Sequence, residues 1–147
     1  MSEVVIRDFS KQDIEKLTEL MRSLCEITKI EFDQSRWQKS IQQQFQEADN
    51  SHFFVAELKG IVIGMAFATV RRASSGERFG YIANLIVDSK YRGQRIGERL
   101  IQAALDFFRR NHLGLVRVAV RKESPEALHL LKKAGFQETI TILEQKI

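Results

Sequence analysis

Apolar residues recur along this chain in two rhythms. Ile14, Leu17, Leu20, Met21 and Leu24 fall three or four positions apart, as do Trp37, Ile41 and Phe45. That spacing lays one apolar stripe along a helix. It predicts a helix from Asp13 to about Ile27, with Ser10 as its cap, and a second from Phe32 to about Phe45. Elsewhere apolar residues come in short dense runs, and these read as strands. They are Val4 to Arg7, Phe53 to Leu58, Ile61 to Arg71, Gly80 to Val87 and Leu115 to Val120. Lys59-Gly60 turns a hairpin between two of them, and Ala73-Ser74-Ser75-Gly76 makes the next turn. The helical rhythm returns with Ile96, Leu100, Ala103, Ala104, Phe107 and Phe108. A last helix begins at Ser124-Pro125-Glu126, a serine cap with proline in the first turn. It ends at Lys132-Lys133-Ala134-Gly135, with cations at the negative end and glycine beyond. Phe136 to about Lys146 is predicted to close the sheet with one or two strands.

The resulting order, β-α-α-β-β-β-α-β-α-β, places the chain in the α/β (α+β) class. The predicted sheet is mixed and mostly antiparallel, with helices on both faces. A helix intervenes between Gly80–Val87 and Leu115–Val120, so those two strands run parallel, in one β-α-β crossover. Ligands of open α/β sheets bind where such a crossover leaves the strand ends. With 147 residues, one proline and no linker, residues 1–147 read as a single domain.

Composition narrows the function classes. Net charge is +4, a mild excess compatible with an anionic ligand. The basic pairs Arg71-Arg72, Arg109-Arg110 and Lys132-Lys133 are too short to read as a nucleic-acid tail, so no nucleic-acid partner is expected. The longest apolar run, Ile61 to Val70, is too short to span a bilayer, and no membrane partner is expected. The opening MSEVVIRDFS has no basic stretch before an apolar core, so no signal peptide is read. A single Cys25 excludes an internal disulfide, and the default compartment is the cytoplasm. No His/Cys/Asp cluster has the spacing of a metal site.

The most informative stretch runs from Tyr81 to Leu105. A strand ends at Val87, Asp88-Ser89-Lys90 turns, and Arg92-Gly93-Gln94-Arg95-Ile96-Gly97 opens a helix. Such a junction leaves main-chain N–H groups unpaired at the positive end of the helix dipole, which suits a pyrophosphate. Gly93 and Gly97 lack a Cβ and let a ligand approach the backbone, and Arg92 and Arg95 add charge.

These residues resemble the GCN5-related N-acetyltransferase (GNAT) family. The family's acetyl-CoA motif is Arg or Gln, two residues, Gly, one residue, then Gly or Ala. Arg92 to Gly97 is similar to it. Leu85-Ile86-Val87-Asp88 resembles the family's preceding strand. Ala127, Leu130 and Gly135-Phe136 match its later helix, and Ile6-Arg7-Asp8-Phe9 its beginning. The resemblance implies acetyl-CoA as cosubstrate, no metal, and acetyl transfer to a primary amine, small molecule or protein, by direct attack in a ternary complex. It implies that the main chain from Arg92 through Gly93, Gln94, Arg95 and Ile96 to Gly97 holds the pyrophosphate. It also implies that Leu85, Ile86 and Val87 pair with the pantetheine amides, where the strands splay at a bulge. A main-chain N–H near Val87 would face the thioester oxygen. A homodimer is compatible with this reading.

Three residues depart from the family pattern. Arg95 stands where glycine is usual. The reading adopted is a helical Arg95, unstrained and able to reach a phosphate. Leu131 stands where a tyrosine often protonates the leaving thiolate. Ser124 replaces a common asparagine; it is counted with the cofactor contacts, although a plain helix cap explains it better.

Candidate acid–base residues are few. Tyr81 and Asn84 lie on the strand before the turn, and simple alternation puts them on opposite faces, with Tyr81 the better candidate. Cys25 reads as core. His52, His112 and His129 read as surface or helix-end residues. Glu26, Glu31, Asp33, Glu47 and Asp49 could meet a cationic amine, and equally read as helix surface. A non-catalytic acyl-CoA-binding or sensory domain of the same fold is the alternative.

Overall fold

The computed structural model describes residues 3–46 and 50–147. Strand β1 is Val5–Asp8 and helix α1 Ile14–Thr28; α2 is Gln34–Gln46 and β2 Ser51–Leu58. They are followed by β3 (Ile61–Arg72), β4 (Arg78–Val87), α3 (Ile96–Arg110), β5 (Val116–Val118) and α4 (Pro125–Lys133). The five strands lie in sequence order, β1 to β4 antiparallel and β5 parallel to β4.

The sheet has helices on both faces, and strand alternation divides the core between them. Phe54, Ala56, Ile63, Ala66 and Ile82 meet Ile96, Leu100, Ala104 and Phe108 of α3. Phe53, Val55, Met65 and Phe67 meet Leu17 and Leu20 of α1 and Trp37 of α2. Central β3 is buried on both faces, which is why its sequence is a continuous apolar run. The Trp37 indole N–H donates to Thr18 Oγ1 at 2.9 Å and ties α2 to α1. Ser10 N–H donates to Asp13 Oδ2 at 2.8 Å at the start of the first helical turn. Arg7 grips the same carboxylate with two bonds, of 2.8 and 2.9 Å, and also reaches Glu57 at 3.1 Å. This arginine pushes the Asp13 carboxyl below its ordinary range.

Two expectations are corrected here. Residues 136–147 form no strand, although their pattern alternates. Ile140, Ile142 and Leu143 are 67%, 73% and 89% exposed, so no second surface buries them within the chain. β5 is also shorter than Leu115–Val120, because its pairing with β4 stops at Val118. Glu47 and Asp49 lie outside the described residues, as does the Phe45 side chain.

Candidate active site at the splayed strands

β5 pairs with β4 at Gly80, Tyr81 and Ile82, and β4 then runs on to Val87 without a parallel neighbour. In that free stretch β4 carries a bulge. Phe67 of β3 faces Ala83 and Met65 faces Ile86, so Asn84 and Leu85 together oppose one residue. Asn84 has φ 56°, left-handed backbone that asparagine tolerates better than most residues. The bulge shifts the strand's alternation. Before it, Ala83 packs with the α1–α2 core and Ile82 with the α3 core. After it, Ile86 joins the α1–α2 core while Leu85 and Val87 turn to the α3 side. Asn84 lies within the bulge, and Tyr81 and Asn84 both border one cleft, together with Ile82, Ala83 and Leu85.

That cleft has a volume of about 400 Å³. Its floor is Tyr81 to Leu85, and one wall is Val118 to Arg121 with Ser124, Ala127 and Leu131. The opposite wall comes from Met21, Leu24 and Cys25 of α1, the loop from Ile30 to Asp33, and Arg36, Trp37 and Ser40 of α2. Of the acids singled out in the sequence, Glu31 and Asp33 line it. Asp33 Oδ1 also accepts the Arg36 N–H at 3.0 Å, so it caps α2 as well. The Arg71 guanidinium lies 3.7 Å from the Tyr81 ring centre, a cation–π contact that fixes the ring. Leu131 is 2% exposed, so its position offers packing and no proton. Cys25 is buried, and burial raises its thiol pKa, which keeps it from acting as a thiolate. Ser124 stands at the N-cap position of α4 without making the side-chain cap bond expected of it, and its side chain borders the cleft.

The free end of β4 leads into the glycine turn. Asp88 N–H bonds to Ile63 O at 2.7 Å, and Asp88 Oδ1 accepts from Lys90 N–H at 3.1 Å, which anchors the turn to the sheet. Gly93 has φ 82°, and a Cβ there would meet nothing within 4 Å. Arg95, at the N-cap of α3, has φ 62° and ψ 20°. The expected helical Arg95 is thus overturned: the residue is left-handed, and its side chain is carried at a conformational cost. Two left-handed residues within three positions bend the chain into the kind of backbone that gathers N–H groups around an anion. Arg99 N–H is bonded to Arg95 O at 3.2 Å, and the N–H groups preceding it are those a helix start leaves without internal partners. Arg92, Gln94 and Arg95 are exposed, whereas Ile96 is 2% exposed and packs in the core, so it can offer a ligand main chain only.

At Gly97 the chain has a neighbour as well as a turn. A Cβ there would sit 2.7 Å from Leu130 Cδ2 of α4. Its absence leaves room for the end of the Leu130 side chain against the first turn of α3. Arg92 of the turn pairs with Glu126 of α4 at 3.6 Å, and Lys133 of α4 pairs with Glu98 of α3 at 2.9 Å. Lys133, and more weakly Arg95, hold the Glu98 carboxyl below its ordinary range.

The remaining candidates fall elsewhere. His52 bonds to Asp8 Oδ1 at 2.6 Å on the far side of the sheet from α1 and stacks near Phe54 and Phe107. His129 is exposed on α4, and exposed His112 follows the end of α3. A second concavity, of about 440 Å³, lies along α3 between Glu98, Gln102, Asp106 and Lys133, away from the splay. Among the described residues no group of His, Cys, Asp or Glu is placed to hold a metal. Among them, too, no helix is long and apolar enough to cross a membrane.

Comparison with known proteins bears on the fold and the family. An uncharacterised N-acetyltransferase of Methanocaldococcus jannaschii is 26% identical over 136 residues, 90% of this chain and 60% of that protein. The N-alpha-acetyltransferase RimI of Mycobacterium tuberculosis is 35% identical over 89 residues, 60% of this chain and 53% of that protein. This chain therefore spans little more than half the length of these relatives. In structure it resembles an aminoglycoside N-acetyltransferase in complex with CoA, with a TM-score of 0.84 and 18% identity, covering 100% of this chain and 96% of the other. The sequence pattern of the acetyltransferase (GNAT) family matches residues 16–136, more than half the chain, and the chain belongs to that family.

Proposed function

We propose that residues 1–147 form one acetyltransferase domain that moves an acetyl group from acetyl-CoA to a primary amine by direct attack in a ternary complex. One observation carries the reading: β4 loses its parallel partner after Ile82, bulges at Asn84–Leu85, and runs into the left-handed turn that starts α3. The residues fit the cosubstrate. The main chain from Arg92 to Gly97 supplies donors for a pyrophosphate, with the exposed Arg92 and Arg95 beside it. Along Leu85, Ile86 and Val87, β4 pairs with β3 on one side and has no parallel strand on the other, and that open side offers ladder groups to the pantetheine amides, as a neighbouring strand would. Ser124, at the start of α4, contributes its hydroxyl from the wall it shares with Val118 to Arg121.

Acetyl-CoA supplies an activated acyl group whose thiolate leaves readily. The protein aligns the amine with it, and alignment alone can account for a large part of the acceleration. A main-chain N–H near Val87 stabilises the charge that develops on the carbonyl oxygen. The amine must shed a proton before it attacks. Tyr81, with Asn84 beside it, is the side chain at the cleft assigned to that proton, directly or through water. Glu31 and Asp33 favour a cationic acceptor. The likeness to RimI supports a protein amine among the acceptor classes.

A second reading, a domain that binds acyl-CoA without turnover, is favoured by one feature. Leu131 fills the place where a tyrosine would protonate the thiolate. The deciding experiment incubates the protein with acetyl-CoA and a panel of peptides, lysine-containing proteins, polyamines and small amines, and follows free thiol. Amine-dependent thiol release supports the transferase. Tight acetyl-CoA binding with no release for any amine class would refute it in favour of the second reading.

A further inference from the structure

The parts of the site follow one another along β4. The glycine turn lies past Val87, the bulge sits at Asn84–Leu85, and Tyr81 borders the cleft. One step farther from the turn is Phe79, which is half-buried. Phe79, Tyr81 and Ala83 share a face of the strand, and Ala83 packs with the α1–α2 core.

Two arginines flank the Phe79–Tyr81 pair from the neighbouring strands. Arg71 of β3 stands opposite Phe79, and its guanidinium lies 3.7 Å from the Tyr81 ring centre. Arg117 of β5 stands opposite Tyr81, and its guanidinium lies 4.7 Å from the Phe79 ring centre. Each arginine thus leans over the ring that faces the other. Both are exposed. Among the described residues the arginines in ion pairs are Arg7, Arg92 and Arg109, so neither of these two has a carboxylate partner. A guanidinium stacked on a ring uses its flat face and keeps the N–H donors of its plane free. The ring also orders it, so less freedom is lost when an anion binds. Arg121, two strand repeats beyond Arg117, is exposed at the wall of the same cleft.

We propose that the acceptor is an amine that carries a carboxylate or phosphate, held by Arg71 and Arg117 while the amine is presented at Tyr81. The proposal rests on the transfer reaction inferred above. Arg71 touches the ring assigned to the amine's proton. An anion held there lies about one or two residues of extended chain from the amine, at roughly 3.3 Å each. An acidic residue close behind a peptide's amino terminus satisfies this, and so does a small amino acid or an aminoalkyl phosphate. Glu31 and Asp33 line the helix wall of the cleft and suit the ammonium. The acceptor is therefore dipolar, with its cation toward the helices and its anion toward the sheet. A polyamine, cationic at every end, sets like charge against the arginines and is disfavoured.

The test supplies the full chain with acetyl-CoA and matched acceptors. Peptides with Asp or Glu behind the amino terminus are compared with the same peptides carrying Asn or Gln. Amino acids and aminoalkyl phosphates are compared with their amides and amino alcohols. Free thiol is followed at low salt. The anionic member of a pair should show kcat/KM at least about tenfold higher, the effect of a charge-assisted hydrogen bond, and the two arms show whether a peptide or a small molecule supplies it. Arg117→Gln and Arg71→Gln should each lower that ratio about tenfold while acetyl-CoA affinity holds. The ratio cancels any effect of Arg71 on the placing of Tyr81. Arg117→Lys, which keeps the charge and loses the planar fork, should restore part of it. Turnover of amines with no preference for the anionic member overturns the proposal and leaves the transferase standing. A preference that survives both glutamine variants overturns it too. If no amine is turned over, the transferase reading falls, and calorimetry of the acidic peptides and the aminoalkyl phosphates on the CoA-loaded protein decides the anion site. Binding that depends on Arg117 supports it, and absence of binding overturns it.

Discussion

Glycine in place of Arg95 should raise the stability of the unliganded protein. Arg95 sits at φ 62° and ψ 20°, a backbone that glycine adopts freely and that costs an L-residue roughly 1–2 kcal/mol. Glycine returns part of that gain through the larger entropy of its unfolded chain, about 0.4–1 kcal/mol. The net expectation is a gain of about 0.5–1 kcal/mol, or roughly 1–4 °C in Tm for a domain of this size. Arg95→Ala is the control. Alanine also removes the charge but keeps the Cβ, so the strain stays. Urea denaturation and calorimetry of the three proteins should rank glycine above alanine by at least the same margin. Equal stability of the two variants would refute the assignment of strain to this residue. The same pair tests how the turn holds an anion. If main-chain donors carry the pyrophosphate, both variants keep acetyl-CoA affinity within about fivefold, because an exposed charge contributes at most about 1 kcal/mol. A loss well beyond that in both would move the assignment from the backbone to the guanidinium.

Gly97→Asp should destabilise the fold by about 1–3 kcal/mol, because the new side chain meets Leu130 Cδ2 at 2.7 Å; an unchanged denaturation midpoint would show that α4 yields freely. Tyr81→Phe should lower kcat by about a hundredfold and remove one limb of the pH–rate profile while acetyl-CoA affinity holds. Wild-type turnover with the same profile would exclude the hydroxyl from proton transfer. Asp13→Asn should cost about 2 kcal/mol at neutral pH, less than for a fully buried pair because Arg7 remains 29% exposed. The Asp13 carboxyl is depressed in the folded protein, so the unfolded chain binds its proton first as pH falls. The stability it contributes is present above about pH 4, the unfolded value, and is lost as pH drops through the folded one. Acid titration of unfolding should therefore be steeper below pH ~4 for the wild type than for Asp13→Asn, and equal slopes would contradict the pairing.

Most elements were legible in the sequence because each buries one face against the sheet. The α1 stripe of Leu17, Leu20 and Leu24 and the dense run of β3 follow directly from that burial. Pattern failed wherever geometry departs from the regular repeat. The alternating segment after Phe136 looks like a strand, but strand pairing requires a neighbour, which alternation does not supply. Asn84 and Arg95 are left-handed without being glycine, and only the surrounding structure fixes such backbone. The glycine turn could be placed on the chain by its residue types. Gly97's contact with Leu130 could not, because it depends on how two helices pack. The cleft itself draws on α1, α2, β4, β5 and α4, and no local pattern reports that convergence.

The bulge at Asn84 has a consequence that resembles a reading frame. Asn84 and Leu85 together occupy the place of one residue, so Ala83 and Ile86 face the same core despite their odd spacing. Deleting Asn84 would leave every flanking side chain on its present face: Ala83 and Ile86 toward α1 and α2, Leu85 and Val87 toward α3. The strand would straighten, with both cores intact. Most insertions or deletions within a central strand scramble its two faces. At this position the shortened chain keeps its fold and loses the bend that opens the splay, so one codon separates what this sheet needs to stand from what it needs to act.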